Sequence, residues 1–182
     1  MTRATRRGVT YALAAVVSFS LTACGGGREY AVPEQVCGIT VNRTTLDPFL
    51  PDGEKLEIVG DSLVETGEDT RGHCEIRVDG KRAMYLRVSK VDKLYDPMDK
   101  VDAFRFTDRE KMSGLPFPGE GALGDAAAMV NTECTAPGAA YLSVLVTVDG
   151  TVDDEVARRR RDLQAFAVDL VPAVKKALGC AA

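Results

Sequence analysis

The sequence predicts an α+β fold: a mixed, mainly antiparallel sheet built from hairpins, with a long C-terminal helix packed on one face and two disulfides. Three observations carry that expectation. Asp79-Gly80 and Pro137-Gly138 each stand between alternating apolar runs, which is how hairpin turns read. Val156, Leu163, Phe166, Leu170, Val174 and Ala177 recur at helical spacing near the C-terminus. Cys37, Cys74, Cys134 and Cys180 form an even set in a chain with an export leader, so they read as bridges.

The leader is the first element. Residues 1–10 hold three arginines and no acid, and 9–23 (VTYALAAVVSFSLTA) is uncharged and mostly apolar. A positive head before a short apolar run is a secretory signal, too short to span a bilayer comfortably. Its end, Leu21-Thr22-Ala23-Cys24, resembles the bacterial lipobox, in which the cysteine takes a diacylglycerol and becomes the first mature residue. Arg6-Arg7 hints at twin-arginine export. Without 1–23 the chain loses three Arg and no acid, leaving 20 basic and 27 acidic residues, a net charge of −7. Such a module is repelled by an anionic membrane surface, so its lipid holds it there, and the same balance argues against nucleic acid as a partner.

Residues 24–33 read as the lipidated N-terminus and a flexible tether, and 34–182 as one extracellular domain. Asn42 is placed to cap a short helix over 43–50, which Pro51-Asp52-Gly53 stops. A strand follows at 55–59, then a polar loop at 65–72. In the first hairpin, a strict two-residue turn pairs Ile76 with Ala83 and Cys74 with Tyr85. That puts Met84, Leu86 and Val88 on the face away from Ile76, so either both faces are covered or the hairpin holds a bulge. The second hairpin runs from 125–133 into 141–148, where Leu142, Val144 and Val146 cannot share a face with Leu145. Thr151 and Asp154 suggest a capping box for the last helix, Lys175 and Lys176 suit its negative end, and Gly179 ends it. Pro172, lacking an N–H, is expected to kink or divide it.

Four cysteines allow three pairings. The expected one joins Cys37 to Cys74 and Cys134 to Cys180, which ties each half to itself, and each bridge contributes about 4 kcal/mol at most in the loop-entropy account. Metal binding lacks support, since no Cys-x-x-Cys spacing exists and His73 is the only histidine. No cofactor is implied.

Gly60-Asp61-Ser62-Leu63 resembles the nucleophile block of the GDSL esterases, which would make Ser62 a nucleophile. A serine needs a base and oxyanion donors. Those enzymes supply the base from an Asp-x-x-His near the C-terminus and donors from a Gly-x-Asn-Asp block. Here Thr70 stands three residues before His73, and Asn42 and Asn131 lie in neither context. Ser62 therefore reads as a strand end entering a polar turn, and the chain as non-enzymatic. Asp92, Asp96, Asp99 and Asp102 lack the calcium-loop pattern and read as a solvated face. The run Arg158–Arg161 sweeps most of a helix circumference, so at least one guanidinium must pack its stem beside the apolar stripe. The irregular stretch 92–121 carries Tyr95, Phe104, Phe106 and Phe117, which are either ligand contacts or cover for the core.

The lipobox at Cys24, Cys37-Gly38-Ile39 followed by LDPFLPDG, Cys74 opening a strand, Gly124-Asp125 and Leu178-Gly179-Cys180 together resemble a group of small actinobacterial cell-surface lipoproteins with no assigned activity. The likeness covers roughly 20–182. More distantly, Gly124-Asp125-Ala126 before a strand and a long helix is similar to extracellular sensor domains of mycobacterial receptor kinases. The resemblance implies two disulfides in a mixed antiparallel sheet. It fits a lipoprotein on the outer face of the cytoplasmic membrane that binds a small molecule or an envelope protein. An envelope assembly or accessory factor is the alternative.

Overall fold

In the computed structural model, residues 27–65, 70–136, 138–149 and 155–180 are described. Two short strands, β1 (Gln35–Val36) and β2 (Ile39–Thr40), precede a one-turn helix α1 (Arg43–Leu46), which continues as a 3₁₀ turn over Asp47–Phe49. Next come β3 (Leu56–Gly60), β4 (Arg71–Val78) and β5 (Lys81–Val91), then a 3₁₀ segment over Lys100–Arg105. The chain closes with β6 (Glu110–Lys111), β7 (Glu120–Leu123), β8 (Ala127–Ala136), β9 (Ala139–Val148) and the helix α2 (Val156–Leu178). Seven of these strands form one sheet in the order β3-β4-β5-β9-β8-β7-β6, each neighbouring pair antiparallel. The parallel component is a bridge between Arg28 and Gly53. This is the expected α+β fold.

The first hairpin resolves its ambiguity with a bulge. Asp79 and Gly80 take φ of 50° and 76°, the positive values a tight turn between twisted strands demands. Arg77 pairs with Arg82, but Ile76 pairs with Met84, so Ala83 is inserted without a partner. That one residue moves Met84, Leu86 and Val88 onto the face of Cys74 and Ile76, where all five are buried. The strand β9 then adds Val144, Val146 and Val148 opposite Val88, Leu86 and Met84, and β8 adds Ala128 and Val130.

Onto this face packs α2 through Leu163, Phe166, Leu170 and Val174. Val156 and Ala177, read as part of the same stripe, stay exposed because they lie beyond the sheet-facing stretch. Residues 151–154 lie outside the described residues, and so does the capping box read there; the N-cap position is Glu155, whose side chain makes no capping bond. The helix runs undivided through Pro172 and ends at Gly179 with φ 68°. Against α2 also lies α1, capped as expected by Asn42 Oδ1, which accepts from the Thr44 amide at 3.0 Å. Phe49 meets Phe166 edge-on with centroids 5.9 Å apart.

Both expected disulfides form. Cys37, in the β1–β2 turn, joins Cys74 on β4, and Cys134 on β8 joins Cys180 just past α2. Each ties a peripheral segment to the sheet. Part of the presumed tether is docked: the Glu29 amide donates to Gly53 O at 2.8 Å, Arg28 reaches Asp47 and the Leu50 carbonyl, and Tyr30 donates to the Pro51 carbonyl. Cys24 lies outside the described residues.

Candidate functional site

The face of the sheet away from α2 is built differently from the core face. Strand alternation places Ser89 on β5, Ser143 on β9 and Asn131 on β8 in one row across the three central strands. One step along, Arg87, Leu145 and Met129 form the next row. Here Leu145 and Met129 are 4% and 2% exposed although they lie outside the cluster that packs on α2, so something else covers them.

The cover is the irregular stretch between β5 and β7. The Asn131 side chain donates from Nδ2 to Tyr95 O at 2.8 Å, and Arg109 donates to the carbonyls of Pro97 and Asp99 at 3.0 and 2.8 Å. Farther along, Thr132 Oγ1, on the α2 side of β8, donates to Pro118 O at 2.6 Å, and Gln164 on α2 reaches Ser113 O at 3.0 Å, so residues 113–118 are held on the helix side of the sheet. Over the open face the segment forms a roof tied to the sheet by Asn131 and braced from within by Arg109.

Between roof and sheet lies a cleft of about 200 Å³, floored by Ser89, Ser143 and Asn131 and walled by Arg87, Arg105 and Tyr95. A second depression of about 350 Å³, lined by Tyr85, Phe104, Leu145 and Arg82, shares Arg87 and Arg105 with the first. These two guanidinium groups therefore stand between the two hollows. Arg105 is paired with Asp102 at 2.7 Å and stacks over the Phe104 ring at 4.4 Å. Burial pushes the Arg87 pKa down, and the neighbouring Arg105 pushes it further.

The four aromatics singled out in the sequence part company. Tyr95 lines the cleft and Phe104 the adjoining hollow. Phe104 is 75% exposed, so it does not plug the core. Phe117 is partly buried against the main core, and Phe106 packs beside Gly124, where any side chain would collide with it at 3.1 Å. The sequence reading missed Arg87, Arg105 and Asn131. Alternation on β5 and β8 places Arg87 and Asn131 on the face opposite the helix, and that was the available signal.

The other candidates settle into structural work. Ser62 Oγ accepts from the Val64 and Glu65 amides at 3.2 and 2.9 Å, closing a turn. The His73 ring lies 6.2 Å from that of Tyr85. Asp96 Oδ1 accepts from the Met98 amide at 2.8 Å and Asp102 serves Arg105, so the acidic residues of this stretch do not converge. Among the described residues no group of three or more His, Cys, Asp or Glu is set to hold a metal ion. In the arginine run, Arg159 is the buried member, and its Nε donates to Asp125 O at 2.6 Å instead of reaching water. Arg160 pairs with the Asp125 carboxylate at 2.7 Å and with Glu110 at 3.1 Å. Together they fasten the start of α2 to the turn between β7 and β8. No helix among the described residues is long and apolar enough to cross a membrane. Compared with protein-family models, with curated proteins and with solved structures, the chain finds no match.

Proposed function

We propose that the chain is a lipid-anchored lipoprotein on the outer face of the cytoplasmic membrane, without enzymatic activity, that serves as a binding module of the cell envelope. The cleft beneath the roof at 95–105 is the observation that carries the binding reading. It is polar on its floor and cationic on its walls, and the Asn131–Tyr95 bond ties its roof to its floor, which suits a small charged ligand. Two disulfides support an oxidising compartment, and the leader ending at Cys24 supports the anchor. Tyr95 and Phe104 are the aromatic contacts of the site, while Phe106 and Phe117 belong to the packing. Two measurements test this reading. Cys24→Ala should move the protein from membranes to the soluble fraction and abolish fatty-acid labelling. Amides of 95–105 should shift when a bound ligand is removed or added, and a ligand that moved only residues elsewhere would refute the site.

An envelope accessory factor is the second reading, and one observation favours it. Val101 and Phe104, three apart on the 3₁₀ segment and hence on one side of it, are 68% and 75% exposed. Crosslinking in intact cells from position 101 would capture an envelope protein in stoichiometric yield if this holds, and only lipid or solvent products if it does not.

A further inference from the structure

Resting on the reading of the open-face cleft as a binding site, the chemistry of its walls narrows the ligand. Three arginines, Arg71, Arg87 and Arg105, line the cleft against the single carboxylate of Asp102. That carboxylate is already held by Arg105 at 2.7 Å. A surplus of positive charge here runs against the composition of a chain with more acid than base. Arg87 carries the strongest indication. Its Nε is buried with no hydrogen-bond partner, and its charged neighbours include two further arginines. A buried guanidinium nitrogen without an acceptor is costly, and an oxyanion that supplies an oxygen to it removes that cost.

The floor adds a second requirement. Asn131 is 2% exposed, and its Nδ2 is committed to Tyr95 O, which fixes the amide plane. Its Oδ1 is buried and has no donor. A bare anion offers nothing to that acceptor, whereas a ligand hydroxyl or amine hydrogen does. Ser89 and Ser143, beside it in the same row, provide hydroxyls of either polarity. A volume of about 200 Å³ limits the occupant to a small molecule.

We propose that this cleft binds a small organic oxyanion that also carries a hydroxyl or amine hydrogen, its charged oxygens on Arg87 and its own donor on Asn131 Oδ1. Calorimetric titration of the full chain in a non-ionic detergent tests it with four probes: lactate, glycerol 3-phosphate, neutral glycerol and cationic ethanolamine. At least one of the two anions should bind, more weakly as salt rises. Which of them binds tells a carboxylate from a phosphate ester. The Arg87→Gln variant should weaken that binding about tenfold or more while keeping its thermal transition. Should that variant fail to fold, the exposed Arg71→Ser serves, with a loss of about threefold expected from one fewer nearby charge. Silence from both anions, or unchanged affinity in a folded Arg87→Gln, overturns the proposal. Binding of glycerol or ethanolamine alone overturns the oxyanion class yet leaves the cleft a binding site.

Discussion

Asn131 Nδ2 and the Tyr95 carbonyl oxygen lie 2.8 Å apart, and their hydrogen bond joins the floor of the open face to its roof. The bond starts from a buried side chain on a central strand, so its loss removes a direct tie between floor and roof. Asn131→Ala should lower stability by about 1–3 kcal/mol and thus the melting temperature by several degrees. Exchange of the amides at 95–99 should accelerate more than exchange in β8 or β9, because the roof opens without the sheet. Uniform acceleration across the sheet would show that roof and sheet unfold as one unit.

The Cys37–Cys74 bridge binds the β1–β2 turn to a strand next to the sheet edge, closing a loop with a sequence separation of 37. Replacing both by serine should cost about 2–4 kcal/mol. Non-reducing peptide mapping should recover Cys37 with Cys74 and Cys134 with Cys180. A peptide joining Cys37 to Cys180 would contradict the structure.

Most of the architecture was legible because it depends on local signals. Asp79-Gly80 demanded a tight turn, and the stripe from Leu163 to Val174 demanded a covered helix face. What the sequence could not reveal was which of two compatible registers the hairpin takes. The bulge at Ala83 is chosen by burial of Met84, Leu86 and Val88 against α2, and that partner lies some 80 residues away. The helix stripe was read too long at both ends, since periodicity continues where contact has ceased. The site was the least legible part. Arg87 looks like any outward-facing strand residue until the roof descends on it, and the roof is held by side-chain to backbone bonds such as Asn131 to the Tyr95 carbonyl. Those bonds leave no periodic trace.

Glu75 offers a pH test. Its carboxylate accepts from Arg77 Nε at 2.8 Å, with Arg82 at 3.4 Å on its other oxygen. The hydrogen bond from Arg77 is the chief cause holding its pKa below the ordinary glutamate value. In the interval between the folded and unfolded pKa the unfolded chain binds more protons, so stability rises with pH there. The contribution is therefore present above the unfolded pKa and is lost as pH falls through the folded one. Glu75→Gln should cost under about 1 kcal/mol at neutral pH, since the pair is partly exposed. The difference from the parent should vanish in acid. A gap that persists at pH well below the folded pKa would assign the effect to packing instead of charge.

Ser62 decides between an esterase and a turn. Its hydroxyl oxygen accepts two amide hydrogen bonds, from Val64 and Glu65, at the point where the chain leaves β3. Leu63, buried beside it, donates its amide to the Cys37 carbonyl at 2.9 Å, so the turn sets how the strand exit meets the disulfide-bearing loop. An oxygen so placed stabilises local backbone, and Ser62→Ala should cost about 1 kcal/mol through the two amides left to water. A fluorophosphonate probe should leave the parent unlabelled, because reactivity requires a base positioned on the hydroxyl. Stoichiometric labelling of the parent that disappears in Ser62→Ala would make the chain a hydrolase and reverse the non-enzymatic reading. Loss of stability without any labelling would leave Ser62 as the closure of a turn.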